Sequence, residues 1–136
     1  MERDHRGGRI TVVLADDHPL YRDGLVRAIS SAPELELAGE AADGLEAERL
    51  ILEQRPDVAL LDVKMPGLGG VELCERIAAR GLSTRVLMIS AYLDPNLVAR
   101  ALAAGAAGYL GKDASRDEIC EALVHLGRGV VTAKAG

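Results

Sequence analysis

The middle of this 136-residue chain reads Val58-Ala-Leu-Leu-Asp-Val-Lys-Met-Pro-Gly67. Its first four residues form a short apolar run bounded by Asp57 and Asp62, which is typical of a buried strand. A loop rich in proline and glycine follows, and apolar residues then return at helical spacing until Gly81. This stretch therefore predicts a strand, a loop and a helix in succession.

The same succession recurs on both sides of this stretch. The predicted strands are Ile10–Ala15, Leu35–Glu40, Val58–Leu61, Val86–Ile89 and Ala107–Leu110. The predicted helices run from Pro19 to before Pro33, Asp43 to about Gln54, Val71 to Gly81, Pro95 to about Ala104 and Ser115 to about Leu126. Strands separated by helical crossovers imply a parallel sheet covered on both faces. We predict one α/β domain, (βα)5, with a doubly wound five-stranded parallel sheet and Leu35–Glu40 at an edge.

Three of the helix starts have N-cap signals. Asp43 is followed three residues later by Glu46, which resembles a capping box, and Ser115 with Glu118 is a full capping box. Asp94 precedes a proline at the first helical position. These signals support the helix assignment independently of the apolar periodicity.

Composition excludes several classes of protein. Phe and Trp are absent and 49 % of the residues are apolar, so the core is predicted to be aliphatic. A net charge of −5 argues against a dedicated nucleic-acid binder, and three tyrosines against a base-stacking platform. No apolar run approaches the roughly 20 residues of a membrane span, and the polar N-terminus does not resemble a signal peptide.

The two cysteines, Cys74 and Cys120, match no metal or redox spacing. Both fall in helical patterns, so they are predicted to be buried free thiols. Free thiols indicate a reducing, cytoplasmic environment.

Polar side chains that could bind a ligand or take part in a reaction lie at the ends of four predicted strands. Asp16 and Asp17 follow the first strand, Asp62 the third and Ser90 the fourth, and Lys112 comes after the fifth. In an open parallel sheet, ligands bind at the edge where the strands end. Three clustered carboxylates require a cation or protons, and hard oxygen ligands suit Mg²⁺, which readily shares a phosphate oxygen. The residues thus predict a Mg²⁺-assisted site at which a carboxylate accepts a phosphoryl group.

These motifs resemble the CheY-like receiver domains of two-component response regulators, which have a flavodoxin-like fold. The matching residues are Asp16-Asp17, Asp62-Val-Lys-Met-Pro-Gly67 with Gly70, Ser90-Ala91 and Tyr109-Leu-Gly-Lys112, and the resemblance spans about residues 10–126. Asp16-Asp-His-Pro19 and Gly108-Tyr-Leu-Gly-Lys-Asp113 look most like the NarL/FixJ branch. Members of that branch usually have a C-terminal helix-turn-helix DNA-binding domain.

The resemblance implies a role for each matching residue. Asp62 would be the phosphoacceptor, receiving the phosphoryl group from the phosphohistidine of a sensor histidine kinase. Asp17, Asp62 and the Lys64 backbone carbonyl would ligate Mg²⁺, with Mn²⁺ as a substitute, and Asp16 would act through a bound water.

Three further residues would bind the phosphoryl group or change conformation in response to it. Lys112 would pair with the phosphoryl group, Ser90 would move to bind it, and Tyr109 would turn inward behind Ser90. The resemblance further implies a cytoplasmic signalling domain rather than an enzyme, although one that catalyses its own phosphorylation and dephosphorylation. It also implies a homodimer, formed through the first, fourth or fifth helix.

The chain is predicted to divide into a flexible segment 1–9, a receiver domain 10–127 and a tail 128–136. Nothing after Leu126 has the pattern of a helix-turn-helix. The tail is typical of the start of a linker, which favours a receiver cut from a longer transcription regulator. We expect DNA contact only through that missing domain. A free-standing receiver that acts through protein–protein contact is the alternative.

Two other function classes compete. A Mg²⁺-dependent phosphatase with an aspartyl intermediate typically has Asp-x-Asp, whereas Asp62-Val-Lys64 lacks the second acid. A flavodoxin-like cofactor module needs a Ser/Thr/Gly-rich phosphate loop after the first strand. Asp16-Asp-His-Pro19 occupies that place here and would repel a phosphate in the absence of a metal.

Single residues also have simpler interpretations. Asp17 alone would be a helix cap, and Tyr109 could pack against the last two helices without a switching role. His18 is interpreted as part of the branch motif and not as a metal ligand. Many receivers have proline after the lysine, but Asp113 follows Lys112 here. Because a cis bond before a non-proline residue costs about 3 kcal/mol, the isomer of this peptide bond is left open.

Overall fold

The computed structural model describes residues 8–92 and 94–129. The strands are β1 (Ile10–Ala15), β2 (Leu35–Ala41), β3 (Val58–Asp62), β4 (Arg85–Ser90) and β5 (Gly108–Gly111). The helices are α1 (Pro19–Ser31), α2 (Gly44–Gln54), α3 (Gly70–Ala79), α4 (Pro95–Ala103) and α5 (Arg116–Gly127). All ten predicted elements are present, and several of their ends differ from the predicted ones by one or two residues; β5, for example, begins one residue later.

The five strands form one parallel sheet in the order β2-β1-β3-β4-β5. The predicted fold class is thereby confirmed, and β2 is an edge strand as expected. Strand β3 lies at the centre of the sheet and is buried on both faces, and all its residues before Asp62 are apolar. Because all strands are parallel, their carboxyl ends point to the same edge.

Two apolar layers cover the sheet. On β1, Val12 and Leu14 belong to the layer beneath α1 and α5, whereas Val13 and Ala15 belong to the layer beneath α2, α3 and α4. This alternation follows from the two-residue period of a strand. The core is aliphatic as predicted, and Tyr109 is the one aromatic residue among the buried residues of the described chain.

The helix caps agree with the sequence signals with one exception. The Ser115 hydroxyl accepts a hydrogen bond from Glu118 N–H, and the Glu118 carboxylate accepts one from Ser115 N–H, which completes a capping box. Asp43 accepts from Glu46 N–H at 2.9 Å. The Glu46 carboxylate instead approaches Arg49, at 3.9 Å, so Asp43 is an N-cap without the predicted reciprocal bond.

The prediction for the cysteines was right for one and wrong for the other. Both are free thiols, but only Cys74 is buried, while Cys120 is half-buried. Cys120, within α5, lines a surface groove together with Glu34 and Asp117, so part of its side chain contacts solvent. Burial raises the pKa of the Cys74 thiol to about 11.

The predicted N-terminal segment 1–9 and the predicted tail 128–136 fall mostly in 1–7 and 130–136, outside the described residues. Within the described part of the chain, no helix has the length and apolar character required to cross a membrane.

Candidate functional site

Four strands deliver the predicted residues to one edge of the sheet. Asp16 and Asp17 lie in the turn between β1 and α1, Asp62 ends β3, Ser90 ends β4, and Lys112 directly follows β5. A cleft of about 240 Å³ opens at this edge, lined by Asp17, His18, Asp62, Lys64, Ser90, Ala91, Tyr92 and Lys112. A larger groove, of about 580 Å³, lies between the α1–β2 turn and α5 and contains none of the predicted site residues.

The carboxylates differ in their exposure. The Asp16 side chain is fully buried and that of Asp62 is 4 % exposed, whereas the Asp17 side chain remains 32 % exposed. One potential ligand atom from each of Asp16, Asp17, His18 and Asp62 lies within 4.8 Å of the others. Asp17 therefore gives the cluster its accessible side, and the other two acids form its floor.

The turn that places Asp16 and Asp17 is fixed by local bonds. Arg22 of α1 donates to the Asp16 carbonyl oxygen at 2.7 Å and to Glu40 at 3.1 Å. His18 N–H donates to Asp16 Oδ1 at 2.7 Å. Pro19 then opens the helix, where its missing N–H costs nothing.

Lys112 is the cation among these acids. Its Nζ lies 2.8 Å from Asp16 Oδ2 and 3.0 Å from Asp62 Oδ2, and the side chain is 13 % exposed. Burial lowers the pKa of Lys112, but the hydrogen bonds and charges of Asp16 and Asp62 outweigh it, so the pKa is raised overall. Lys112 is thus held as an ammonium at neutral pH.

The isomer of the peptide bond between Lys112 and Asp113, which the sequence left open, is defined in the structure. The Lys112–Asp113 bond is trans, as are all the described peptide bonds. Lys112 N–H continues the sheet by donating to the Ser90 carbonyl oxygen at 2.8 Å. Lysine therefore reaches Asp62 from a trans peptide, and proline is not required for that reach.

The loop after β3 positions Asp62. Lys64 N–H donates to Asp62 Oδ1 at 3.3 Å. Gly70, which begins α3, packs so closely that a Cβ there would collide with the Asp62 carbonyl oxygen. Gly67 has φ +78°, a left-handed conformation that favours glycine. The close contact at Gly70 and the left-handed backbone at Gly67 explain why glycine occupies these two positions.

The surroundings of Asp62 disfavour its charge. Burial raises the pKa of Asp62, the hydrogen bond from Lys112 lowers it, and the charge of Asp16 raises it again, with a net rise. An ionised Asp62 is consequently a destabilised carboxylate, and a cation or phosphoryl group at its oxygens would relieve that cost.

Ser90 and Tyr109 meet at the backbone of Tyr92. The Ser90 hydroxyl accepts a hydrogen bond from Tyr92 N–H at 3.0 Å. Tyr109 is buried with Ala101 of α4 in its layer, and its hydroxyl donates to the Tyr92 carbonyl oxygen at 3.2 Å. Tyr109 is therefore on the inner side of the loop in this structure, and its hydroxyl is engaged beyond simple packing.

Two neighbours of the site were not assigned a role from sequence. The His18 ring turns into the cleft, where its Nδ1 lies 3.1 Å from Asp17 Oδ1. The Tyr21 ring packs against Lys112 Nζ at 4.7 Å and Arg116 at 4.9 Å, at distances typical of cation–π contacts. Because His18 and Tyr21 follow Asp16-Asp17 closely in sequence, they could be expected near the site, but the sequence did not indicate the direction of either side chain.

The donor set fits a hard divalent cation. Asp17 Oδ1 is shielded from solvent and receives no hydrogen bond from the described residues. Carboxylate oxygens of this kind, next to a cleft with room for waters, are the ligands that Mg²⁺ takes in proteins. The acidic pocket thus has the chemistry that receiver domains use to bind Mg²⁺.

A parallel (βα)5 sheet with a buried aspartate, two further acids, a hydroxyl and a lysine at its carboxyl edge defines the receiver class of signalling domains. Comparison with known proteins agrees, since the model of the response regulator receiver domain family matches residues 12–124. This chain belongs to the response regulator receiver domain family.

Its relatives lie in the NarL/LuxR group. The transcriptional regulatory protein NarL of Mycobacterium tuberculosis is 46 % identical over 121 residues, which cover 89 % of this chain and 56 % of that protein. The solved signal receiver domain of NarL from the same organism has a TM-score of 0.87 at 46 % identity, covering 89 % of this chain and 98 % of that one.

A more distant structure shares the fold. The CheX–CheY–BeF₃–Mg complex from Borrelia burgdorferi matches with a TM-score of 0.79 at 26 % identity, covering 90 % of this chain and 92 % of the other. The chain spans about half the length of the curated relatives it matches. It is a receiver domain of the type found in NarL/LuxR response regulators.

Proposed function

We propose that Asp62 accepts a phosphoryl group from the phosphohistidine of a sensor histidine kinase. The observation that supports this most is the meeting of Lys112 with two buried carboxylates at one edge, with Nζ 3.0 Å from Asp62 Oδ2. The Asp62 oxygen forms a bond to phosphorus while the phosphorus–nitrogen bond breaks, and the imidazole leaves with the electron pair. Lys112 neutralises charge on the phosphoryl oxygens.

Asp17, Asp62 and the Lys64 backbone carbonyl would hold Mg²⁺, or Mn²⁺ in its place, and Asp16 would act through a bound water. When bound, the cation supplies positive charge beside the phosphoryl oxygens. Asp62 and Asp16 lie at the buried side of the cluster and Asp17 at its exposed side, which leaves the cleft open for waters and the incoming group. The chain is a signalling domain, and this machinery would let it catalyse its own phosphorylation and dephosphorylation.

Ser90 and Tyr109 would form the switch. The Ser90 hydroxyl accepts from Tyr92 N–H, and the Tyr109 hydroxyl donates to the carbonyl oxygen of the same residue. If Ser90 turns to bind a phosphoryl oxygen, Tyr92 N–H loses its acceptor and the loop after β4 is released to rearrange. Phosphorylation then shifts the population between two loop conformations.

The output would be control of transcription. The NarL relative is named as a transcriptional regulator, and such regulators often dimerise. We propose that phosphorylation promotes a homodimer through the faces of α1, α4 or α5, and that DNA is bound by a separate domain. A receiver that acts through protein–protein contact alone is the alternative. The cytoplasmic location remains a prediction.

Intact mass spectrometry after incubation with acetyl phosphate and Mg²⁺ tests the phosphoacceptor. The wild-type chain should gain one phosphoryl group, and Asp62→Asn should gain none while keeping its circular dichroism spectrum. Asp57→Asn is the matched control, because Asp57 is also a buried aspartate beside β3 but lies away from the cleft. A mass gain in Asp62→Asn would exclude Asp62, and multiple turnover of small phosphate esters would favour a phosphatase.

Sedimentation velocity with and without beryllofluoride and Mg²⁺ tests the dimer. The phosphoryl mimic should raise the sedimentation coefficient of the wild-type chain but not of Asp62→Asn. Equal sedimentation of the wild-type chain in both conditions would contradict phosphorylation-driven dimerisation of this domain.

A further inference from the structure

His18 lies at the N-cap of α1, but its side chain makes no capping bond. Its backbone N–H is bonded to Asp16 Oδ1, which fixes the residue at the rim of the cleft. The imidazole Nδ1 lies 3.2 Å from Asp16 Oδ1, 3.1 Å from Asp17 Oδ1 and 3.7 Å from Asp62 Oδ2. One ring nitrogen thus faces all three site carboxylates.

These separations match the spacing of metal ligands. Adjacent ligands in an octahedral shell, each about 2.1 Å from the ion, lie about 3.0 Å from one another. The distances from Nδ1 to Asp16 and Asp17 are close to that value. The imidazole therefore needs little movement to share an ion with the carboxylates.

Lys112 lies beside the same ring nitrogen. Its Nζ is 3.0 Å from His18 Nδ1, 2.8 Å from Asp16 Oδ2 and 3.0 Å from Asp62 Oδ2. His18 Nδ1 therefore lies within the cluster of charged side chains around the cleft. A neutral imidazole binds a metal ion through the lone pair of one ring nitrogen.

We propose that His18 is a nitrogen ligand of the metal site and sets its metal preference. The inference rests on the proposed function in that it needs the carboxylate cluster to hold a divalent cation. Imidazole suits first-row transition metals, whereas Mg²⁺ prefers oxygen. His18 should therefore strengthen the binding of Mn²⁺ and Ni²⁺ and leave Mg²⁺ nearly unaffected. This proposal departs from the sequence interpretation, which gave His18 no metal role.

Pulsed electron paramagnetic resonance of the Mn²⁺-loaded chain tests the ligand directly. The wild-type chain should show ¹⁴N modulation from a coordinated imidazole, and His18→Ala should lose it. His125→Ala is the control, because His125 is exposed on α5 and lies outside the acidic cluster, and it should retain the signal. Persistence of the modulation in His18→Ala would overturn the proposal.

Calorimetric titration with Ni²⁺ and with Mg²⁺ tests the preference. His18→Ala should lower the Ni²⁺ affinity by about tenfold or more and change the Mg²⁺ affinity by less than about twofold. Equal losses for both ions, or no loss for Ni²⁺, would contradict a selective nitrogen ligand.

Asp17→Asn separates this inference from the metal site as a whole. It should weaken the binding of both ions, since a carboxylate serves either metal. If Asp17→Asn changed neither affinity, the proposed carboxylate metal site would be contradicted, and so would the proposed ligand role of His18. If only the His18 results failed, the proposed phosphoacceptor site would stand unchanged.

Discussion

Asp57 and Asp62 are both buried and lie at opposite ends of β3, yet their surroundings differ in kind. Asp57 Oδ2 accepts hydrogen bonds from Thr11 N–H at 2.9 Å and the Thr11 hydroxyl at 3.1 Å. Its backbone N–H donates to Thr11, and its carbonyl oxygen accepts from Arg85 N–H. The aspartate at the amino end thus joins β1, β3 and β4.

Asp62 has a different balance of neighbours. Its oxygens receive Lys64 N–H and Lys112 Nζ, but Asp16 adds a like charge, and the pKa of Asp62 is raised by burial and by that charge. The carboxylate at the amino end is paired within the strands and stabilises the sheet. The one at the carboxyl end has spare capacity for a cation or a phosphoryl group.

The largest effect on stability is expected at Asp57. Asp57→Ala removes the acceptor for two donors of Thr11, which should lower the free energy of unfolding by about 2 kcal/mol. Thr11→Val keeps the backbone bond and should cost about half as much. Urea denaturation monitored by circular dichroism measures both changes. An Asp57→Ala variant as stable as the wild-type chain would show that the amino end of β3 is not a structural anchor.

Binding of Mg²⁺ should act only at the other end of β3. At ten times its dissociation constant, a ligand specific for the folded state adds about 1.4 kcal/mol to stability. We expect this increment in the wild-type chain and equally in Asp57→Ala, but a smaller one in Asp17→Asn. Thermal unfolding with Mg²⁺ and with EDTA measures it. An unchanged increment in Asp17→Asn would remove Asp17 from the metal ligands.

The two ends of β3 were not equally visible in the sequence. The apolar runs predicted the strands, and parallel strands bring their carboxyl ends together, so Asp16, Asp62, Ser90 and Lys112 could be placed at one edge without a structure. The role of Asp57 was missed because its partner Thr11 is remote in sequence and a turn aspartate before a strand is common. The registration of β1 against β3 decides that contact.

Side-chain direction was the other gap. Sequence spacing placed His18 and Tyr21 near Asp17, but not the turn of the His18 ring into the cleft or the packing of Tyr21 against Lys112. Both side chains contact residues far along the chain: His18 and Tyr21 contact Lys112, which follows β5, and Tyr21 also contacts Arg116 of α5. The half-exposure of Cys120 likewise depends on the packing of α5 beside the α1–β2 turn, which a helical pattern does not specify.

The smallest expected change in stability is that of Asp62→Asn, and it is opposite in sign to the change expected at Asp57. Asp62→Asn removes a charge that the folded state disfavours, so it should slightly raise the free energy of unfolding in the absence of metal, because the pair with Lys112 offsets only part of the cost of burial and of the Asp16 charge. The folded pKa of Asp62 lies above its ordinary value of 3.8. The wild-type chain therefore loses stability relative to Asp62→Asn as pH rises through that folded pKa.

Denaturation in EDTA between pH 3.5 and neutral pH, on the order of the range where carboxylates titrate, measures this difference. The difference between the two chains should become small at the acid end, where Asp62 is protonated in the folded state and largely protonated in the unfolded state. Asp57→Asn serves as the control and should lose stability, because Thr11 loses a strong acceptor. If Asp62→Asn were less stable than the wild-type chain at neutral pH, the ion pair with Lys112 would outweigh burial and the charge of Asp16. The contrast between the two ends of β3 would then be one of degree only.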